Sequence, residues 1–252
     1  MINKRYYPFL LGALALIFWL ALWEILARTL DLGFIFPTVL DTAKAMLALF
    51  SSSVFYKSVL LSLFRVLLGF LFGLFFGCLL SVLAHYNSIC RAIIAPMMTV
   101  VKATPVASFI MVLWCFIGSS PVPVVIGALM VAPLIYHNLY DALNAKNKDL
   151  DEVCSIYAVK GYRKFKYLYL PQILAFLIPS TVSGMGLCWK ASIAAEIIAY
   201  TQNSIGKEIY LSKAYLEGAR LFAYTITVIV LSLIFEKLMK YLGEWVKKKC
   251  HL

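Results

Sequence analysis

The sequence is short of what soluble catalysis usually needs. Charged residues fill only 14% of its 252 positions, and its three histidines, His85, His137 and His251, sit near ends or turns with no close acidic set. An enzyme working inside a membrane would bring paired carboxylates or histidines to one cavity, so that class is disfavoured. The six cysteines stand singly at 78, 90, 115, 154, 188 and 250. None has the close spacing of a zinc knuckle or redox dithiol, so neither a bound metal nor a disulfide is expected. No glycine-rich loop ending in Gly-Lys-Ser/Thr occurs, which excludes ATP hydrolysis by the usual phosphate-loop route. No internal repeat is visible, and that weakens a secondary transporter built from two inverted halves.

Apolar residues are what the chain has in abundance: 63% of the sequence, with a mean hydropathy of +0.88. A helix needs roughly 20 residues to cross about 30 Å of hydrocarbon. Six stretches qualify, near 9–28, 58–84, 92–117, 121–140, 172–199 and 221–243. The expectation is an all-α polytopic membrane protein, with 1–252 forming a single transmembrane domain. The first stretch follows Lys4 and Arg5 as a signal peptide would, but no convincing small-x-small cleavage site closes it and five more apolar spans follow, so it is expected to stay as the first helix.

Six crossings place segments 1–8, 85–91, 141–171 and the tail from Lys237 on one side, with 14 Lys and Arg against 6 on the other. Basic residues favour the cytoplasmic side, so both termini are expected there. The net charge of +11 follows from topology and attraction to the lipid bilayer, and requires no nucleic acid partner. The closing EWVKKKC reads as an interfacial anchor.

Several local patterns constrain the interior. Pro37, Thr38 and Asp41 open a helix, in which Val39, Ala43, Met46, Leu47 and Phe50 can share a face lying near the outer interface. Gly69, Gly73 and Gly77 recur every four residues, with Ser58, Ser62 and Arg65 on roughly the same face. Small residues in such a row let another helix approach closely, although membrane helices also simply tolerate glycine. Pro96 and Pro105 break the third span, and Pro133 lies in the fourth; backbone groups freed at membrane depth must meet protein or a water-filled cavity. Glu24, Arg65, Lys102, Lys190 and Glu196 lie in or close to spans, where charge is costly unless it faces the bundle or a cavity. Lys190 and Glu196 are about 9 Å apart along one helix axis, so each wants a partner elsewhere. Lys102 and Lys190 could attract an anionic solute in a pathway, or pair with Glu196 from another helix or subunit.

The longest polar segment is internal: DEVCSIYAVKGYRKFKYLYLP, Asp151 to Pro171, within an inside loop spanning 141–171. Leu150, Val153, Cys154 and Tyr157 have helical spacing. Asp149, Asp151 and Glu152 come early and Arg163, Lys164 and Lys166 late, as the helix dipole favours, although the basic residues also read as inside anchors. A helix lying flat under a bundle must cover its apolar face against the bundle or a second protein.

This segment resembles the cytoplasmic motif of the permease subunits of bacterial ATP-binding-cassette (ABC) importers: glutamate, two alanines, three residues, glycine, nine residues, then isoleucine-x-leucine-proline. Glu152 matches the glutamate, Val153 and Cys154 the alanines, and Leu168, Leu170 and Pro171 the close. Ala158 departs from the glycine, with Gly161 nearby, which leaves the local bend open. FPTVLDTAKAM, SLFRVLLGFLFG, PVASFIMVLWCFIGSS, MGLCWKASIAAEI and SIGKEI resemble, in order, the branch carrying nitrate, sulfonate and taurine, with Glu196 at its late acidic position. The resemblance covers about residues 35–240.

It implies a MetI-like type I ABC importer permease fold with six transmembrane helices, in the bacterial inner membrane. Asp151 to Gly161 would form the coupling helix that fits a cleft on a cytoplasmic ATPase, with Glu152 acting by charge and capping. No enzyme activity and no cofactor are implied for this chain, since ATP is bound by the ABC ATPase subunits. The other implied partners are an extracytoplasmic solute-binding protein and a second permease subunit, either a second copy in a homodimer or a different chain in a heterodimer. In that pairing the glycine face of the second span could make close helix contact. The solute would be a small anion such as nitrate, a sulfonate or taurine; the alternatives are a pyrimidine-type vitamin precursor and, outside the family, ion-coupled secondary transport.

Overall fold

Backbone buried in hydrocarbon has no water to bond, so long apolar runs satisfy their amides internally as helices. The computed structural model describes residues 7–30, 32–145, 152, 154, 156, 157 and 161–249, and among these every regular element is helical. The elements are α1 (Tyr7–Leu30), α2 (Val39–Phe50), α3 (Ser53–Tyr86), α4 (Ser88–Ala103), α5 (Val106–Ile117) and α6 (Val122–Asn144). A helical turn (Gly161–Lys164) and a π-helical stretch (Phe165–Tyr169) then lead into α7 (Leu170–Ile198), followed by α8 (Ile205–Ala214) and α9 (Gly218–Lys249).

The third span is not the continuous helix that its hydropathy suggests. α4 and α5 meet at 105°, with 16 and 12 residues respectively, so at about 24 and 18 Å neither half alone crosses the hydrocarbon. The break falls at Thr104–Pro105. Pro105 has no amide hydrogen, and Thr104 takes the extended conformation (ψ 136°) that a residue before proline prefers. Pro96, by contrast, is accommodated inside α4.

The glycine row shows how the chain returns. Gly69 faces Val124 and Gly127, Gly73 faces Ala128 and Val131, and Gly77 faces Ala132 and Ile135. The numbers rise together, so α3 and α6 run parallel. Parallel neighbours require the chain between them to go back across, which makes the bent α4–α5 pair the sixth crossing. α7 is antiparallel to α6, because Gly127 meets Cys188 and Ser192 while Gly184 meets Val131 and Leu134. α9 is antiparallel to α7, with Trp189 on Phe235 and Gly243 on Ile178.

The core therefore lies between α3, α6 and α7, where Val66, Phe70, Val131, Ile135, Met185 and Trp189 are buried together. A Cβ added to Gly73 would stand 2.6 Å from the Val131 Cβ, and one added to Gly69 or Gly77 would stand 2.8 Å from a carbonyl oxygen of α6. The close contact of this face is thus within one chain. α1 is peripheral: Leu14, Ile17, Phe18 and Trp19 are exposed. Its end is held where the Trp23 indole donates to the Pro37 carbonyl at 3.0 Å, and where Glu24 accepts from Arg28 at 2.8 Å and from the Val39 amide at 3.0 Å.

α2 begins as expected, with the Thr38 hydroxyl accepting from the Asp41 amide at 3.1 Å. Its shared apolar face is not the side that packs on the bundle. Thr42 and Leu49 are buried, while Ala43, Leu47 and Phe50 face outward. Thr42 can be buried because its hydroxyl donates to the Thr38 carbonyl at 2.9 Å, and lipid receives Leu47 and Phe50 as readily as protein would.

Candidate functional site

Three regions gather the chemistry: the end of α7, an open face along α7, and the segment between α6 and α7. At the first, Glu196 is fully buried. It accepts from the Ser62 hydroxyl at 2.7 Å, from Arg65 Nη1 at 3.3 Å and from the Gly206 amide at 3.2 Å. Arg65 also donates to the carbonyls of Gln202 at 2.9 Å and Asn203 at 3.2 Å, and Ser62 accepts from the Ile205 amide at 3.0 Å. A buried carboxylate is tolerated when it is paired and hydrogen-bonded, and Glu196 is both. Gly206 packs directly on Glu196 and leaves no room for a Cβ.

Of the five charges singled out from the sequence, Arg65 and Glu196 are therefore brought together, Glu24 pairs with Arg28, and Lys102 and Lys190 are elsewhere. Sequence reasoning missed the loop's contribution, because amides and carbonyls of residues 202–206 carry no side-chain signature. It also missed the half of a second pair, Glu208, which is nearly buried and accepts from Arg220 Nη2 at 2.7 Å. The only signal for it was an acidic residue in the SIGKEI stretch.

The second region is a face that the chain leaves open. Ala175, Phe176, Pro179, Ser183, Leu187 and Lys190 are exposed at steps of one to four residues along one side of α7, and the helix is covered from Ala191 onward. Pro179 has no amide hydrogen for the Ala175 carbonyl one turn back. With Leu134 and Asn138 of α6, the inner part of this face forms a groove of about 260 Å³. Lys190 lies within electrostatic reach of Glu236, whose carboxylate pairs with Lys240 at 2.8 Å. Lys102, exposed in the last turn of α4, is within reach of His137. Among the described residues neither Lys102 nor Lys190 forms an ion pair.

At the opposite end of α7 lies the polar segment. Val153 and Ala158 are outside the described residues. Glu152 is helical and exposed, and Cys154 is helical and half-buried. Gly161 adopts a left-handed φ of 60° with open space around its Cα, so the bend that Ala158 left open falls at Gly161, where glycine is suited to it. Pro171 is half-buried in the first turn of α7. The Gln172 side-chain amide donates to the Ala145 carbonyl, tying the start of α7 to the end of α6. Beside this tie, His85, Tyr86, Ala145, Tyr169 and Gln172 line a cavity of about 270 Å³. Among the described residues no three His, Cys, Asp or Glu side chains could share a metal ion, and Cys78, Cys90, Cys115, Cys154 and Cys188 are free thiols.

Residues 69–248 match the family described as the binding-protein-dependent transport system inner membrane component. The chain is 20% identical over 246 residues to the putative aliphatic sulfonates transport permease protein SsuC of Bacillus subtilis, covering 95% of this chain and 87% of the other. It is 24% identical over 255 residues to the formylaminopyrimidine transport permease protein ThiX of Halalkalibacterium halodurans, covering 98% and 100%. Among solved structures, a bacterial ABC transporter involved in import of the acidic polysaccharide alginate superposes with a TM-score of 0.61 at 16% identity, covering 96% of this chain and 97% of that one. The inward-facing methionine ABC transporter MetNI superposes with a TM-score of 0.53 at 18% identity, covering 81% and 97%.

Proposed function

The chain belongs to the family of binding-protein-dependent transport system inner membrane components, and from that membership we propose a solute class and a role for each region. It is the multi-pass permease subunit of an ABC importer, a transport component rather than an enzyme. The family implies ATPase and solute-binding protein partners.

The proposed solute is a small anion, with a sulfonate as the leading class. The observation that carries this is Lys190, an exposed lysine at the end of the open face of α7 that forms no ion pair among the described residues, with Lys102 as a second exposed cation. A charge within a span is costly unless it faces a cavity or a partner, and an anion in transit supplies a transient partner. The name of the sulfonate permease relative agrees with this assignment. A second solute, an uncharged pyrimidine, is favoured by the groove itself, where Asn138, Ser183 and the freed Ala175 carbonyl offer hydrogen bonds without charge. The formylaminopyrimidine permease relative aligns along its whole length.

In this assignment residues 1–252 act as one permease domain with both termini in the cytoplasm. Segment 141–171 docks on the ATPase through Glu152, Val153, Cys154, Ala158, Gly161 and Pro171. A second copy completes a homodimeric pathway and covers the open face of α7. ATP closes the ATPase dimer, the two coupling segments move together, the cavity opens outward to receive solute, and hydrolysis returns it inward.

Uptake into proteoliposomes tests the solute. The purified complex and its solute-binding protein are offered ethanesulfonate, taurine, nitrate and formylaminopyrimidine, with and without Lys190→Gln. The expected result is ATP-driven sulfonate uptake that falls about tenfold in Lys190→Gln, as loss of a contact of ~1.4 kcal/mol would give. Uptake of the pyrimidine alone, indifferent to Lys190→Gln, would replace the anion with the second solute.

A further inference from the structure

The segment between α7 and α9 is built more tightly than a connection needs to be. Tyr200, Asn203 and Leu216 all hold left-handed φ angles of 49–57° without being glycine, a conformation that persists only where the surroundings enforce it. Thr201 and Ser204 are fully buried. Thr201 donates to the Ser119 carbonyl in the α5–α6 turn at 2.8 Å, and Ser204 caps α8 by accepting from the Lys207 amide at 2.9 Å. Glu208 fastens α8 to α9 through Arg220, and the Gly218 amide donates to the Phe34 carbonyl, between α1 and α2, at 3.0 Å. The clasp of Ser62, Arg65 and Glu196 adds α3 and α7. Residues 199–218 are thus bonded to the α1–α2 connection, α3, the α5–α6 turn, α7 and α9.

A buried ion pair alone is weak evidence for anything beyond folding. Two features of this one go further. Arg65 also donates to two carbonyls of the segment, so it fixes the segment's position and not only a charge. The helix that carries Glu196 is also the helix that begins at the polar segment: α7 runs 29 residues from Leu170, a rod of about 44 Å, with the coupling end at its start and the clasp at its finish.

We propose that Arg65 and Glu196 are positioning residues of the transport cycle, whose clasp makes residues 199–218 one rigid body with α3 and α7, so that movement at the coupling end of α7 is delivered to the far face of the membrane. The proposal rests on the assignment of 141–171 as the ATPase-coupling segment. Loss of the clasp uncouples the two faces without preventing ATP hydrolysis.

The test uses the complex purified with its ATPase, carrying Tyr215→Cys on the exposed surface of the segment. Maleimide labelling of the peptide containing position 215 is followed by mass spectrometry, with and without ATP and vanadate. Trapping is expected to change the labelling rate about fivefold, the lower end of typical coupling between sites. Glu196→Gln is expected to abolish that change while ATP hydrolysis continues, and Arg65→Lys, which keeps the charge but loses the fork to two carbonyls, to reduce it. An undiminished change in both variants, or no change in the parent despite hydrolysis, overturns the proposal. If Glu196→Gln does not assemble, Arg65→Lys is read in its place, and failure of both shows a role in folding alone and also overturns it. No ATP hydrolysis by the parent complex would instead remove the coupling assignment, and the proposal with it.

Discussion

Gly73 has the Val131 Cβ where its own would stand, whereas Gly186 has nothing within 4 Å. The pair separates close packing from mere tolerance of glycine. Gly73→Leu should cost about 1–3 kcal/mol through overpacking and lower the yield of monodisperse complex in size-exclusion chromatography, with Gly186→Leu near the parent. Equal yields would show that α3 and α6 do not need their close approach. Gly161 makes a different demand, since its φ of 60° lies in open space. Gly161→Ala should strain the backbone by about 1–2 kcal/mol and weaken ATPase retention during purification, while Gly161→Asn, which tolerates the left-handed region, should retain more. The glycine spacing was legible in the sequence, whereas the place of the bend, left open by Ala158, was not. The partners of Glu196 were not legible either: Ser62 and Arg65 lie more than 130 residues away along the chain, and the third partner, the Gly206 amide, is a backbone atom without a side-chain signature.

Among the elements, hydropathy located every crossing but could not show how the third is made. Pro105 announced a break; the 105° turn, with each half too short to span alone, depends on how α4 and α5 pack on α6. α2 teaches a related lesson. Its start was readable from Thr38 and Asp41, yet its buried face was not, because in a membrane an apolar side chain gains little by facing protein instead of lipid. The polar Thr42, satisfied by its own backbone, is the better marker of the inward side. Thr38→Ala removes the cap and should destabilise the first turn of α2 by about 1 kcal/mol, seen as roughly fivefold faster hydrogen exchange at residues 40–42. Unchanged exchange would mean that Glu24, which accepts from the Val39 amide, holds the helix start by itself.

For the whole molecule, six apolar runs foretold the architecture, and the parallel pairing of α3 with α6 gives it a geometric basis. The open face of α7 belongs to this scale, since a surface holding Lys190 and Ser183 inside a bilayer is incomplete until solute or a second copy meets it. The account's central claim is that this chain turns ATP hydrolysis by a separate subunit into solute import through segment 141–171. Its most direct test is purification of the tagged chain from its native membrane in mild detergent, with mass spectrometry of what accompanies it, beside a Glu152→Arg variant whose thermal unfolding is checked against the parent. The account predicts an ABC ATPase in near-equal amount with the chain, lost from the variant while the bundle remains folded. Recovery of the chain alone, moving solute in vesicles without ATP, would contradict it.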